Sequence, residues 1–275
     1  MNVTVHEKEL VAIVGSSGSG KSLLAHGILG ILPYNSQLNG EIHYMGENLT
    51  PEKIKKIRGK EIVLIPQSTA YLDPLMKVGT QMRKSLNDPT SKKKSEEVLT
   101  RYGLHVKTQN MYPFQLSGGM ARRILISTAM IENPKLVIAD EPTPGIHVST
   151  AKKILSDFRE IADDNAGVLF ITHDLELALE VADKIVVFYA GMTIEEAKIT
   201  DFQSEETLRH PYTKSLWKAL PQNGFNSIDG TQPYSKDLPK GCPFEPRCYM
   251  RSKQCLTEIA YRAVRGGYVR CLYAE

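Results

Sequence analysis

The segment Gly15-Ser16-Ser17-Gly18-Ser19-Gly20-Lys21-Ser22 constrains this chain more than any other. It satisfies the spacing G-x-x-x-x-G-K-[ST] in full, between an apolar run at 11–14 and a helix-like stretch at 23–32. Glycines at these positions let successive backbone N–H groups converge on phosphate oxygens, and the following helix adds the positive end of its dipole. Lys21 is placed to reach the β- and γ-phosphates, and the Ser22 hydroxyl to ligate Mg²⁺. The segment predicts a nucleoside-triphosphate site on a strand–loop–helix unit.

The rest of the chain supplies the matching frame. Further strands are expected at 62–65, 136–139, 168–172 and 184–189, with helices at 149–162 and 175–182. Such alternation implies a mostly parallel α/β sheet. Residues 76–131 read as mainly helical, with a solvated helix start at 91–97, and form a subdomain inserted in that sheet. From about residue 204 the alternation stops, and all 4 cysteines fall between 242 and 275. Hydrophobic residues at 41% and charged residues at 24% exclude disordered, collagenous and coiled-coil classes. The 34 Lys plus Arg against 31 Asp plus Glu leave a charge of +3, too balanced to argue for a nucleic-acid partner. No apolar run approaches the roughly 18–20 residues of a membrane span, and no secretion signal is visible, so a cytoplasmic protein is expected.

Two further segments carry chemistry. Leu136-Val137-Ile138-Ala139 delivers Asp140 and Glu141 to the end of an apolar strand. Beside a phosphate loop, the first carboxylate suits the Mg²⁺ shell and the second suits polarising an attacking water. Leu116-Ser117-Gly118-Gly119-Met120 opens a helical stretch and makes a second helix N-terminus able to hold phosphate.

Together these segments resemble the ATP-binding subunit of an ATP-binding-cassette (ABC) transporter. Residues 15–22 resemble the Walker A loop, 136–141 the Walker B strand and 116–120 the LSGGQ signature, with Met in the last place. Gln67 resembles the Q-loop glutamine that in the family touches Mg²⁺ and the membrane subunits. His173, in Ile171-Thr172-His173-Asp174, resembles the switch histidine at the γ-phosphate. The resemblance implies a P-loop ABC cassette over 1–204, with its helical subdomain at about 70–133. It also implies ATP hydrolysis with Glu141 and His173 as catalytic residues, and ATP held by residues 15–22 and Gln67. Mg²⁺ would be held through Ser22, Gln67 and Asp140. Two such subunits would sandwich ATP head to tail, Ser117, Gly118 and Gly119 of one facing the Walker A loop of the other, and drive two transmembrane permease subunits. An extracellular substrate-binding protein is an indirect partner, and nucleic acid is not one.

The tail narrows the branch. His210-Pro211-Tyr212-Thr213-Lys214-Ser215-Leu216 resembles the HPYT-x-x-L motif of oligopeptide, dipeptide and nickel importers. Leu72-Asp73-Pro74-Leu75-Met76-Lys77-Val78-Gly79 and Tyr112-Pro113-Phe114-Gln115 fit the same group. Residues 205–275 are therefore expected to form a small Cys-containing extension. Cys242, Cys248, Cys255 and Cys271 follow C-x₅-C-x₆-C-x₁₅-C, without the C-x₂-C knuckle of common zinc modules. Structural disulfides are not expected in the cytoplasm, and four thiolates could hold an iron–sulfur cluster. In the peptide-importer branch this arrangement is associated with a [4Fe–4S] cluster; zinc and free thiols are the alternatives.

Two departures from the family stand out. Only 14 residues precede Gly15, and 3–5 reads as the end of the strand before Walker A. The aromatic that stacks on adenine is then missing, and a misassigned start accounts for this ahead of genuine loss; a genuine loss would weaken ATP binding tenfold or more, since such stacking is worth roughly 1–3 kcal/mol. Pro144-Gly145-Ile146-His147 replaces the family's D-loop, with His147 in place of an aspartate. Import of peptides is the expected function, with nickel or metal-chelate import, or a regulatory cassette whose partner hydrolyses ATP, as alternatives. A soluble ABC ATPase acting on nucleic acid would call for tandem cassettes, a coiled-coil insertion or a basic surface. A P-loop kinase would leave the signature and His173 unexplained.

Overall fold

A computed structural model describes residues 1–84, 88–143, 148–234 and 237–275, without the side chains of 148–150. In chain order, β1 (Leu10–Val14) leads into α1 (Lys21–Ile28), followed by a small hairpin of β2 (His43–Tyr44) and β3 (Glu47–Asn48). Then come α2 (Pro51–Ile57), β4 (Ile62–Ile65), α3 (Val78–Met82), α4 (Pro89–Arg101) and α5 (Gly118–Met130). β5 (Leu136–Asp140), α6 (Val148–Asp163), β6 (Gly167–Thr172), α7 (Leu175–Val181), β7 (Lys184–Tyr189) and β8 (Met192–Lys198) complete the alternating part. The tail adds α8 (Pro211–Lys218), β9 (Arg262–Val264) and β10 (Gly267–Val269). No helix among the described residues is long and apolar enough to cross a membrane.

The chain divides into two compact units. The first comprises Met1–Leu24 and Gly167–Glu275. Here β1 lies between β6 and β7, parallel to both, with Ala12 opposite Phe170 and Ile185. All five residues of β1 are buried, as its uninterrupted Leu-Val-Ala-Ile-Val requires of a strand covered on both faces. β8 turns back antiparallel on β7 through Ala190 and Gly191, both at positive φ, the conformation of a tight hairpin turn. β10 then pairs antiparallel with β8, and β9 with β10. The expected end of the alternation near 204 is thus not the end of the sheet. β8 reads as polar because Glu195 and Glu196 interrupt it, yet Glu195 is fully buried, bound to Arg209. Residues 3–5, expected as a strand end, form no strand. The backbone there is fastened by side chains instead, Asn2 to the Thr193 hydroxyl and the Thr4 carbonyl to the Lys184 ammonium.

The second unit is Ala25–Ala166. β4 and β5 pair in parallel, Ile62 opposite Leu136. Its helical part has its own core of Leu72, Val78, Met82, Leu99, Leu104, Ile124 and Leu125. Asp88 caps α4 by accepting the Ser91 N–H, with Pro89 at the first helical position. α1 stops at Ile28 instead of running to 32. Gly30 takes the left-handed conformation, its N–H bonding the Gly27 carbonyl and that of Ile31 the His26 carbonyl, a Schellman termination.

Candidate nucleotide site and thiol cluster

In the first unit, the phosphate loop leaves β1 at Gly15. A Cβ on Gly15 would lie 2.3 Å from the Phe188 carbonyl oxygen, so no other residue fits where the loop passes β7. Gly18 and Gly20 both have positive φ, which turns the backbone so that its N–H groups can converge. Ser17 and Gly18 are exposed at the crest, Ser16 and Ser22 are half-buried, and Ser19 is buried. The Lys21 ammonium, also buried, donates to the carbonyls of Gly15 at 2.8 Å and Ser16 at 3.0 Å. The Gly191 N–H donates to the Ser19 carbonyl, tying the β7–β8 turn to the loop. His173 is exposed just beyond β6 and lines a cavity of about 220 Å³ together with Gly15, Ser16, Tyr212 and Arg247.

The tail reaches this loop directly. Ser16 donates to the Gln232 side-chain oxygen, and Tyr212 lines the same cavity as Ser16. Arg247 donates to the Tyr189 hydroxyl at 3.0 Å and to the carbonyls of Ile228 and Asp229, so its charge is spent on holding residues 228–229. Tyr189, Tyr212 and Phe244 pack ring against ring, with centroids 4.5 to 5.4 Å apart. None of these ties was legible in the sequence.

In the second unit, β5 delivers Asp140, buried, and Glu141, half-buried, at its C-terminal end. Glu141 has φ +42°, a left-handed conformation uncommon for a residue with a side chain and typical of functional positions. Gln67 donates from Nε2 to the Glu141 carboxylate at 2.8 Å. The backbone of the Gln67 segment is held by Arg122, a buried α5 residue whose guanidinium donates to the carbonyls of Pro66 and Gln67. The sequence reading did not single out Arg122. The only signal was an arginine one turn into the helix, just ahead of the apolar run Ile124-Leu125-Ile126. Burial depresses its pKa, while the two carbonyls satisfy its donors.

The same helix begins at the glycine pair. Ser117 caps α5 by accepting the Met120 N–H at 3.3 Å. Ser117 and Gly118 are exposed, and a Cβ on Gly118 or Gly119 would meet nothing within 4 Å. These glycines therefore leave room for a ligand to reach the helix N-terminus, rather than relieving a clash inside the fold. Residues 144–147, including His147, lie outside the described residues.

The four cysteines are free thiols, three of them buried and Cys248 half-buried. Gly241 lets two chain segments meet. Its Cβ would stand 2.1 Å from the Cys255 carbonyl oxygen, which accepts the Cys242 N–H at 2.8 Å. Burial pushes the Cys242 thiol up to about 12, and the neighbouring Cys271, Cys248 and Cys255 add to that shift. The thiols of Cys248 and Cys271 are raised too, again mainly by burial. Among the described residues no three His, Cys, Asp or Glu side chains could hold one metal ion. His210, fully buried, brings its Nε2 to 3.7 Å from the Cys242 sulfur.

Comparison with known proteins agrees with this geometry. The family model described as ABC transporter matches residues 1–144, and that described as Oligopeptide/dipeptide transporter, C-terminal region, matches 194–255. The Oligopeptide transport ATP-binding protein OppD of Haemophilus influenzae is 34% identical, over 93% of this chain and 84% of that one. The Oligopeptide transport ATP-binding protein AppD of Bacillus subtilis is 34% identical over 98% and 89%. Among solved structures, the dimeric bacterial ABC transporter cassette MJ0796 superposes with a TM-score of 0.64 at 27% identity, covering 72% of this chain and 88% of that one. The same cassette in a post-hydrolysis state bound to ADP and Pi gives equal values.

Proposed function

The chain belongs to the ATP-binding subunits of ABC transporters, with the C-terminal region of the oligopeptide/dipeptide type, and we propose that it binds and hydrolyses ATP to energise import of di- and oligopeptides. The hydrogen bond from Gln67 to Glu141 carries the reading. It orients a carboxylate at the end of an apolar strand, as a general base for water needs. Residues 1–204 act as the cassette, with the helical subdomain at about 70–133, and 205–275 as the importer-type extension. The ABC transporter model ends at 144 and the C-terminal-region model begins at 194, which supports a cassette followed by an importer-type extension without fixing the bound between them.

The roles follow from the chemistry of each group. Backbone N–H groups of residues 15–20 and the Lys21 ammonium bind the phosphates. The Lys21 bonds to loop carbonyls, seen at 2.8 and 3.0 Å, hold the ammonium at the centre of the loop. Glu141 takes a proton from water, Gln67 keeps its carboxylate oriented, and His173 contacts the γ-phosphate side near Ser16. Ser117, Gly118 and Gly119 offer an open helix N-terminus to the nucleotide of a second, homologous subunit, which the dimeric state of the similar cassette supports. Two permease subunits would receive the movement at the membrane, where this chain would be peripheral, and an extracellular binding protein would supply cargo to them. Ser22, Asp140 and the Gln67 side-chain oxygen are each hard oxygen donors of the kind Mg²⁺ takes, and Gln67 gives Glu141 only its N–H. Mg²⁺ would neutralise charge on the β- and γ-phosphates.

The tail would hold a [4Fe–4S] cluster through Cys242, Cys248, Cys255 and Cys271. Among the described residues no three of these thiols come together as ligands of one ion, so the reading rests on four cysteines in the spacing C-x₅-C-x₆-C-x₁₅-C, three of them buried. Bound there, the cluster would join segments that no disulfide joins.

ATP hydrolysis by the chain assembled with its neighbouring ATPase and permease subunits, beside the Glu141→Gln variant, tests the function. Turnover lost in the variant supports Glu141 as the base. Equal turnover in both overturns the assignment.

A further inference from the structure

Residues 228–232 of the tail are fastened at one end and bonded to the phosphate loop at the other. Arg247 fastens the first end, its Nε donating to the Asp229 carbonyl and its Nη2 to the Ile228 carbonyl at 2.9 Å. Its Nη1 donates to the hydroxyl of Tyr189, and the guanidinium lies 6.0 Å from the centroid of that buried β7 ring. Ile228 lines the cavity that Gly15, Ser16 and His173 share. Gly230 then turns the chain with φ +76°, a conformation that glycine adopts without strain. Two residues on, the half-buried Gln232 accepts the Ser16 hydroxyl through its side-chain oxygen. A serine hydroxyl has one proton to donate. Phosphate oxygens accept, so a phosphate loop works through its donors. Here the Ser16 proton goes to an amide oxygen, which turns the negative end of its dipole toward the loop.

We propose that residues 228–232 form an inhibitory latch on the phosphate loop, in which Gln232 and the phosphates of ATP compete for the Ser16 hydroxyl. The proposal rests on the nucleotide site given above. The end held by Arg247 stays fastened, and the tip beyond Gly230 lets go when the phosphates take the Ser16 proton. The tail then restrains ATP binding through one side-chain bond. By linkage ATP weakens the hold of the tail on the loop by the same factor.

The test is calorimetric titration with ATP of the full chain assembled with its partner subunits, as wild type, Gln232→Ala, Ser16→Ala and the double variant. Gln232 lies in no helix or strand, so its truncation leaves the sheet intact. Gln232→Ala is expected to bind ATP roughly fivefold more tightly, the factor that one neutral hydrogen bond is worth. In the Ser16→Ala background the same truncation should change the affinity by less than twofold, because the contested donor is gone. This cycle separates the latch from a general effect of Gln232 on the tail. Equal or weaker binding by Gln232→Ala overturns the proposal and leaves the nucleotide site intact. So does an equal gain with and without the Ser16 hydroxyl. A wild-type assembly that binds no ATP overturns the nucleotide site and the latch with it.

Discussion

Gln67 and Glu141 are 74 residues apart in sequence, yet the amide of one donates to the carboxylate of the other at 2.8 Å. Gln67 follows β4 and Glu141 follows β5, and these strands pair in parallel with Ile65 opposite Ala139, so the register delivers both side chains to the same edge. This bond orients the carboxylate without neutralising it. Gln67→Leu should therefore lower turnover by at least tenfold, within the range of positioned general bases, and leave ATP binding within a few-fold of wild type. Steady-state ATPase rates and equilibrium nucleotide binding in the assembled complex check the split. A loss in binding as large as the loss in turnover would show that Gln67 acts on the nucleotide alone.

Arg122 connects the glycine-led helix to the Gln67 segment by donating to the carbonyls of Pro66 and Gln67. Removing it leaves the buried Pro66 carbonyl without its donor, and the part-buried Gln67 carbonyl as well, at a cost of roughly 1–3 kcal/mol for the buried group. Arg122→Met should lower the urea midpoint accordingly and also reduce turnover, because the backbone that carries Gln67 loses its anchor. Arg122→Lys should rescue little, since one ammonium cannot reproduce a planar fork across adjacent carbonyls. Full rescue by lysine would mean that charge alone matters at this position.

What the sequence made legible was local. The phosphate loop, the β5 carboxylates and the Ser-Gly-Gly helix start are contiguous strings whose chemistry and backbone needs coincide. The parallel strands were legible as apolar runs because both their faces are covered. The expected helix at 23–32 ran too far because Leu29, Ile31 and Leu32 keep the apolar pattern going, while the left-handed Gly30 ends it. β8 stayed hidden because Glu195 is a buried charge, and what makes it tolerable is Arg209, 14 residues later, together with the His210 N–H. β9 and β10 are three residues each, too short for a period-2 signal. Arg122 and Gln232 matter through partners 55 and 216 positions away, and no spacing within one segment encodes such pairings.

Tyr212 offers a measure of how far the tail conditions the phosphate loop. It lines the cavity at Ser16, and its ring is packed against Tyr189 and Phe244. Tyr212→Phe keeps the packing and removes the hydroxyl from that cavity. A neutral polar contact contributes about 1 kcal/mol net, so a loop ordered by that hydroxyl should show an ATP Kd raised roughly fivefold in the variant. Calorimetric titration of both proteins with ATP reads this directly, and an equal or tighter Kd in the variant would show that the tail does not order the loop.

Asp157 gives a prediction about pH. Burial raises its pKa to about 6, Glu160 reinforces the shift, and Lys153, Arg101 and Arg123 oppose it only in part. In the unfolded chain an aspartate titrates near 3.9. Between those values the folded state binds the proton that the unfolded state has released, so stability falls as pH rises. The contribution of Asp157 is fully present below about pH 4 and is lost as pH passes through about 6. Asp157→Asn does not ionise and escapes that loss. Its unfolding midpoint should match wild type near pH 4 and exceed it above pH 7, with the gap opening between those limits. Urea titrations of both proteins across that interval check the sign, and a gap that closes as pH rises would show that the folded state stabilises the ionised form of Asp157.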